Sequence, residues 1–114
     1  MKLLDSLGYA LDGIAHAFKR QRNFRIQCFL ALIAVALSII FHLSMIEWFL
    51  VLWAIMTVLI AELVNTGAEY VVDLIYKKKD VLCKVIKDIA AAAVLISSTW
   101  SLIIGIVIFI PKIF

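Results

Sequence analysis

Four polar side chains with helical spacing interrupt an otherwise apolar part of the chain. They are Glu62, Asn65, Glu69 and Asp73. At about 100° per residue, these spacings place all four within an arc of about 80° on one face of an α-helix. Carboxylates on such a face can hold a divalent cation, and one set apart from the others can accept a proton from an alcohol. The spacing therefore predicts one reactive helix face, and we call these four residues the carboxylate stripe.

The charge of the stripe requires compensation by cations, and the candidates are Lys84 and Lys87 near the start of the next apolar run or bound divalent metal ions. Carboxylates that hold Mg²⁺ and lysines that meet phosphate oxygens are what phosphoryl transfer from ATP requires, because its catalysis is mostly positioning and charge neutralisation. Neither GxxxxGK[ST] nor GxGxxG occurs in the sequence, so the nucleotide-binding loops of soluble folds are absent.

Two other interpretations of the stripe remain open from the residues alone. In the first, the lower turns of the helix leave the membrane, so that Glu69 and Asp73 are solvated and only Glu62 is unusual. In the second, the stripe belongs to a proton or ion pathway, since chains of carboxylates also serve as relays. A pathway would need further polar groups, because nothing charged continues the stripe to the far side of the bilayer.

The composition requires a membrane around these side chains. Of 114 residues, 66% are hydrophobic and 17% are charged, whereas soluble domains are roughly 45–50% apolar. A short chain cannot bury that much apolar surface within itself. We therefore predict one all-α integral-membrane domain over residues 1–114.

Three apolar runs are long enough, or extend far enough, to cross about 30 Å of hydrocarbon. The second run has too few residues up to Ala61 and crosses only if its helix continues through the stripe. The third run ends at Pro111, where we expect its helix to stop. An amphipathic segment with apolar residues at spacings of three and four precedes them. The predicted elements are a surface helix at about 3–19 and spans at about 26–46, 48–76 and 82–110.

Basic residues mark one side of this topology. Ten of the eleven Lys and Arg side chains precede the first span or lie between the second and third, and Lys112 is the exception. By the positive-inside rule, the N-terminus and the second connection are cytoplasmic. The alternation of cations with apolar spans argues against a nucleic-acid partner.

Three segments resemble a known family. AELVNTGAEYVVD at Ala61–Asp73 looks like the signature of the small integral-membrane diacylglycerol kinase and undecaprenol kinase family of prokaryotes. KDIAAAAVL at Lys87–Leu95 and RNFRI at Arg22–Ile26 resemble two further elements of that family, and the match covers nearly the whole chain. The resemblance implies a homotrimer of three-span subunits in the bacterial cytoplasmic (inner) membrane. It also implies use of Mg²⁺ and ATP to phosphorylate a lipid alcohol at the cytoplasmic face.

The resemblance also implies roles for individual residues. Glu62 would be the general base on the lipid hydroxyl, and Glu69 would be a metal ligand. The residues expected around the nucleotide are Lys2, Tyr9, Asn65, Glu69, Asp73, Lys78, Lys79, Asp80, Lys87 and Asp88. Those expected at the lipid substrate are Trp48, Glu62 and Ala91.

The sequence departs from the family pattern at three places. Gln21 stands where many members have a second metal-binding glutamate, and a neutral amide coordinates Mg²⁺ only weakly. Gly67 replaces a small alanine, and the connection YKKKDVLCK lacks a Tyr-His pair that many members carry. A membrane protein that binds nucleotide or lipid without turnover, because Gln21 prevents catalysis, is therefore the alternative to a kinase.

The substrate preference follows from Ala91 in the run Ala90–Ala93. The run is more similar to the undecaprenol kinase branch than to diacylglycerol kinases that carry a serine at that position. An alanine leaves an apolar wall suited to a polyprenyl chain, so the sequence favours undecaprenol over diacylglycerol.

Overall fold

The computed structural model describes residues 2–75 and 80–114, and within these ranges the chain is helical with no strand. The four helices are α1 (Leu3–Arg20), α2 (Arg22–Ile40), α3 (Met45–Ile75) and α4 (Val81–Ile113). The last three are long and apolar enough to cross a membrane. The predicted all-α class, with three transmembrane helices behind an amphipathic helix, is confirmed. The expected nucleotide residues Lys78 and Lys79 lie outside the described residues.

The apolar face of α1 points away from the other helices. Leu4, Leu11 and Phe18 on this face are all exposed, and Ala17 is the one buried residue of α1. A helix with an apolar face turned outward and a basic last turn suits the boundary between lipid and water. Burial against protein therefore contributes little to the position of α1.

The middle element of the bundle is α3, because both α2 and α4 pack against it. Its buried residues recur mostly every three or four positions, as a helix face in contact with protein requires. They are Val51, Ala54, Val58, Glu62, Thr66 and Val72. An apolar groove of about 500 Å³ runs between α2 and α4 along this face. Glu62 is thus the one carboxylate on a face that otherwise holds apolar and hydroxyl side chains.

The first span ends earlier than the absence of charge suggested. Helix α2 stops at Ile40 rather than near Ile46, and His42 adopts a left-handed φ of 51°. Ser44 and Glu47 then start α3, because the Ser44 hydroxyl accepts from the Glu47 N–H at 3.2 Å and the Glu47 carboxylate accepts from the Ser44 N–H at 3.0 Å. This reciprocal pair is a capping box, and its S-x-x-E pattern was available in the sequence.

The third span extends beyond the proline that was expected to end it. Helix α4 reaches Ile113 with Pro111 in its last turn, and the Phe114 N–H donates to the Ile110 carbonyl at 3.1 Å. A proline so close to the C-terminus removes one helical N–H donor without breaking the helix. The extra turn brings Lys112 to 3.0 Å from Glu47 at the start of α3.

Candidate active site

The carboxylate stripe runs from the protein interior to the end of α3 that lies beside α1 and the start of α4. We call this the basic end. Glu62 is only 4% exposed, Asn65 and Glu69 are half-buried, and Asp73 is exposed. The stripe therefore leads from a buried carboxylate outward to solvent or the lipid headgroups. Beyond Glu62 the buried positions of α3 are apolar, which disfavours an ion pathway through the described residues.

Asn65 and Glu69 form the polar pair at the centre of the stripe. The Asn65 amide donates to Glu69 Oε1 at 3.2 Å, and the Asn65 carbonyl oxygen is buried with no hydrogen-bond partner within the described ranges. A buried carbonyl oxygen without a donor is costly unless a ligand satisfies it. Amide and carboxylate oxygens are also the donors that Mg²⁺ prefers.

This donor set suits a metal ion shared with phosphate rather than one held by protein alone. In residues 2–75 and 80–114, no three His, Cys, Asp or Glu side chains are grouped closely enough to hold a metal ion. Mg²⁺ in phosphate-transferring sites is usually bound by one or two carboxylates together with substrate phosphates and water. Glu69 and Asn65 therefore fit a Mg²⁺ ion that arrives with a nucleotide.

Lysines from α4 meet the outer part of the stripe. Lys87 Nζ donates to Asp73 Oδ1 at 2.6 Å, so one of the two expected compensating cations pairs with the stripe. Lys84 instead pairs with Asp88 on its own helix at 2.7 Å. Asp80 caps α4 by accepting from the Leu82 N–H at 3.2 Å. The first turns of α4 thus place Lys87 against the stripe, and the exposed Lys84-Asp88 ion pair lies next to it.

Two aromatic residues absent from the sequence-based site lie at this end. The Tyr70 hydroxyl is 3.1 Å from His16 Nε2, and it accepts from the Gln21 amide at 3.0 Å. The only local signal for Tyr70 was its position directly after Glu69. The contact brings Gln21 beside α3 through its amide nitrogen, and its expected role as a weak metal ligand stays a prediction.

Trp48, one of the predicted lipid contacts, is not brought together with Glu62. Trp48 is about 20 Å away along the axis of α3 and packs against the apolar cluster around Leu43 at the opposite end. Lys2 is exposed just before α1, Tyr9 is exposed on α1, and Ala91 is exposed on α4. Their assignments to nucleotide or lipid remain predictions.

Gly67, the second departure from the family pattern, has open space around it. A Cβ atom built there would meet nothing within 4 Å. Within this single chain, no contact requires a glycine rather than an alanine at this position.

Three helices are apolar enough to cross a membrane, and a buried carboxylate, an amide-carboxylate pair and a lysine lie toward one end of them. These are the groups that a site for phosphate and a cation would need in an integral-membrane protein. The family model for prokaryotic diacylglycerol kinase matches residues 8–109. The chain belongs to this family and is a membrane lipid kinase.

Individual relatives carry two different names. An undecaprenol kinase of Bacillus subtilis is 36% identical over 97% of this chain and 90% of that protein. A diacylglycerol kinase of Synechocystis sp. is 37% identical over 96% of this chain and 63% of that protein. A diacylglycerol kinase of Haemophilus influenzae is 36% identical over 92% of this chain and 86% of that protein.

Proposed function

We propose that this protein transfers the γ-phosphoryl group of ATP to the hydroxyl of a membrane lipid at the cytoplasmic face. The observation that carries the proposal is the order of groups along α3, where buried Glu62 is followed outward by the Asn65-Glu69 pair and then by Asp73 bonded to Lys87. A lipid hydroxyl can approach from the membrane and a nucleotide from the water. Their reacting groups would meet between Glu62 and Glu69.

In the proposed reaction, the lipid hydroxyl oxygen attacks the γ-phosphorus while the Glu62 carboxylate accepts the hydroxyl proton. The bond between the γ-phosphorus and the bridging oxygen breaks, and ADP leaves. Lys87 has three N–H donors and uses one on Asp73, so it can also donate to a phosphate oxygen. Glu69 and Asn65 would hold Mg²⁺, which when bound neutralises phosphate charge.

The remaining nucleotide contacts are proposed from the family resemblance and from position at the basic end. The ion pair with Asp73 orients Lys87. Asp88, the next residue after Lys87, forms an ion pair with Lys84. The other proposed contacts are Lys2, Tyr9, Lys78, Lys79 and Asp80, with Gln21 as a weak additional metal ligand.

We further propose a homotrimer in the bacterial cytoplasmic membrane, with the N-terminus in the cytoplasm. Ten of the eleven basic residues on one side of the spans support this orientation. The single chain leaves the outer part of the stripe open, since Asp73 is exposed. A neighbouring subunit could complete the site there.

Undecaprenol is the proposed substrate, and diacylglycerol is the alternative. Relatives with either name are about equally similar to this chain, so identity favours neither. Ala91 supports undecaprenol, because its methyl group offers no hydrogen bond to a glycerol ester. Trp48, Glu62 and Ala91 are the proposed lipid contacts.

The test is phosphorylation of a lipid panel by purified protein in bilayers with Mg²⁺ and radiolabelled ATP. We expect faster labelling of undecaprenol than of diacylglycerol, and Ala91→Ser should shift the ratio of the two rates toward diacylglycerol by about 3-fold, the effect of one hydrogen bond. A preference for diacylglycerol would reverse the substrate assignment. Absence of both products from folded protein would overturn the proposed reaction.

A further inference from the structure

The Tyr70 hydroxyl joins three parts of the chain at one point. It accepts a hydrogen bond from the Gln21 amide at 3.0 Å and is 3.1 Å from His16 Nε2. His16 belongs to α1, Gln21 is the residue between α1 and α2, and Tyr70 belongs to α3. The His16 and Tyr70 rings also meet edge to face, with centroids 5.7 Å apart.

The hydrogen bonds at this junction are consistent with the chemistry of each side chain. The Gln21 amide N–H donates to the Tyr70 oxygen, which leaves the Tyr70 O–H free to donate to Nε2 of a neutral His16. A glutamate at position 21 would instead compete with His16 for the single Tyr70 proton. The neutral amide therefore matches this junction better than a carboxylate would.

This junction matters because little else holds α1 against α3. Ala17 is the only buried residue of α1, and the apolar face of α1 points outward. The last turn of α1 is also fixed to α2, because Arg25 donates to the Phe18 and Lys19 carbonyls at 2.9 and 3.0 Å, but these bonds do not involve α3. In the described residues, the His16-Tyr70 contact is the one side-chain hydrogen bond between α1 and α3.

The junction at Tyr70 also determines which face of α1 turns toward α3. Tyr9 lies seven residues before His16, and Lys2 lies seven residues before Tyr9. Because seven residues are close to two helical turns, Tyr9 and His16 fall within about 20° of each other on α1, whereas Lys2 is the extended residue just before the helix. Fixing His16 on Tyr70 therefore turns the side of α1 that carries Tyr9 toward α3.

We propose that Tyr70 is a positioning residue whose hydroxyl latches α1 to α3 beside Glu69 and so sets the orientation of the α1 face that carries Tyr9. The latch consists of Tyr70, His16 and Gln21. Its consequence for catalysis rests on the proposed function, in which that face covers the nucleotide. The latch itself is a property of the fold that requires no substrate.

The test compares Tyr70→Phe with wild-type protein in lipid nanodiscs, because this variant keeps the ring and removes only the hydroxyl. Hydrogen exchange of peptides from Leu3–Arg20 should accelerate by about 3- to 10-fold, the effect of losing one or two weak hydrogen bonds. The matched control is Thr57→Val, which removes a hydroxyl bonded within α3 to the Trp53 carbonyl. The control should leave the exchange of α1 unchanged.

Kinetics separate positioning from a direct chemical role. In Tyr70→Phe we expect the KM for MgATP to rise by about 3- to 10-fold, while kcat stays near the wild-type value. His16→Ala should accelerate α1 exchange in the same way, and the double variant should add little to either change, because both remove one tie. His16→Gln, which keeps a polar partner for the hydroxyl, should restore part of the protection.

Unchanged exchange of α1 in Tyr70→Phe would overturn the latch whatever the activity shows. A fall in kcat with an unchanged KM would overturn the positioning role and place Tyr70 in the chemistry. If wild-type protein phosphorylated no lipid, the proposed function would fail, while the exchange comparison would still decide the latch.

Discussion

Each end of α3 is joined to α4 by one carboxylate-lysine pair, yet the two ends differ in what surrounds that pair. At the end of α3 opposite the basic end, which we call the opposite end, Glu47 is 3.0 Å from Lys112. At the basic end, Asp73 meets Lys87 at 2.6 Å. The same chemistry therefore closes the α3-α4 packing at both boundaries of the bundle.

At the opposite end, both oxygens of the carboxylate are used. Glu47 Oε1 accepts from the Ser44 N–H, and Oε2 accepts from Lys112. Both side chains of the ion pair are 28% exposed, and the apolar cluster of Leu43, Val51 and Ile108 lies at the same end. The ion pair and the apolar cluster therefore stabilise the packing of α3 against α4 at this end.

At the basic end, Lys87 is the one lysine among the described residues that pairs with a carboxylate of the stripe. The Lys87 and Asp73 side chains are 40% and 62% exposed. Glu62 and Glu69 lie on the same face, and their one recorded side-chain partner in the described part of the chain is the Asn65 amide on Glu69. The comparison indicates that a carboxylate with partners on both oxygens stabilises the fold, whereas the stripe carboxylates that lack such partners in the described residues are available to a metal ion, a proton or a substrate.

The largest expected effect comes from neutralising the most buried carboxylate. Glu62→Gln should lower kcat for lipid phosphorylation by about 100-fold or more, as expected for loss of a general base. The matched variant at the opposite end, Glu47→Gln, should retain activity but unfold at a lower temperature. Equal loss of activity in the two variants would remove the functional distinction between the ends.

A smaller effect is expected at the proposed metal ligand. Glu69→Gln should raise the Mg²⁺ concentration for half-maximal activity by about 10-fold or more, because a neutral amide replaces an anionic ligand. Binding of Mn²⁺ in the presence of a non-hydrolysable ATP analogue, followed by electron paramagnetic resonance, should weaken in parallel. An unchanged metal dependence in both measurements would exclude Glu69 as a ligand.

The two lysines should separate substrate binding from stability. Lys87→Met should raise the KM for ATP by about 10-fold, since one charge-assisted hydrogen bond to phosphate is lost. Lys112→Met should leave this KM unchanged and lower the thermal unfolding temperature in detergent. If Lys112→Met altered the KM as strongly as Lys87→Met, the opposite end would also contribute to nucleotide binding.

The smallest effect is expected from the capping box. Ser44→Ala removes one cap of α3 and should cost about 1 kcal/mol of stability, with kinase activity unchanged. Thermal unfolding together with the lipid assay measures both quantities. Lost activity at normal stability would contradict a purely structural role for this end.

Much of the site was predictable because it lies on one continuous helix. The spacing of Glu62, Asn65 and Glu69 depends only on the helical repeat, and the Asn65-Glu69 hydrogen bond confirms that neighbouring stripe positions meet. The number of spans followed in the same way, since the lengths of the apolar runs match the thickness of the bilayer.

Helix ends were less predictable, because they depend on individual hydrogen bonds rather than on average hydropathy. The uncharged run to Ile46 concealed the break after Ile40, which the Ser44-Glu47 capping box produces. The proline at position 111 suggested an end that the chain passes by one more turn, from which Lys112 reaches Glu47.

The amino-acid sequence by itself determined the membrane class, the three spans and the polar face of α3, because each depends on local periodicity and composition. Only the tertiary structure decided that Lys87 rather than Lys84 pairs with Asp73, and that Tyr70 ties α1 to α3. Contacts between helices depend on how each helix is rotated and shifted against its neighbours. Packing of the whole bundle sets those two quantities, and no single helical repeat contains them.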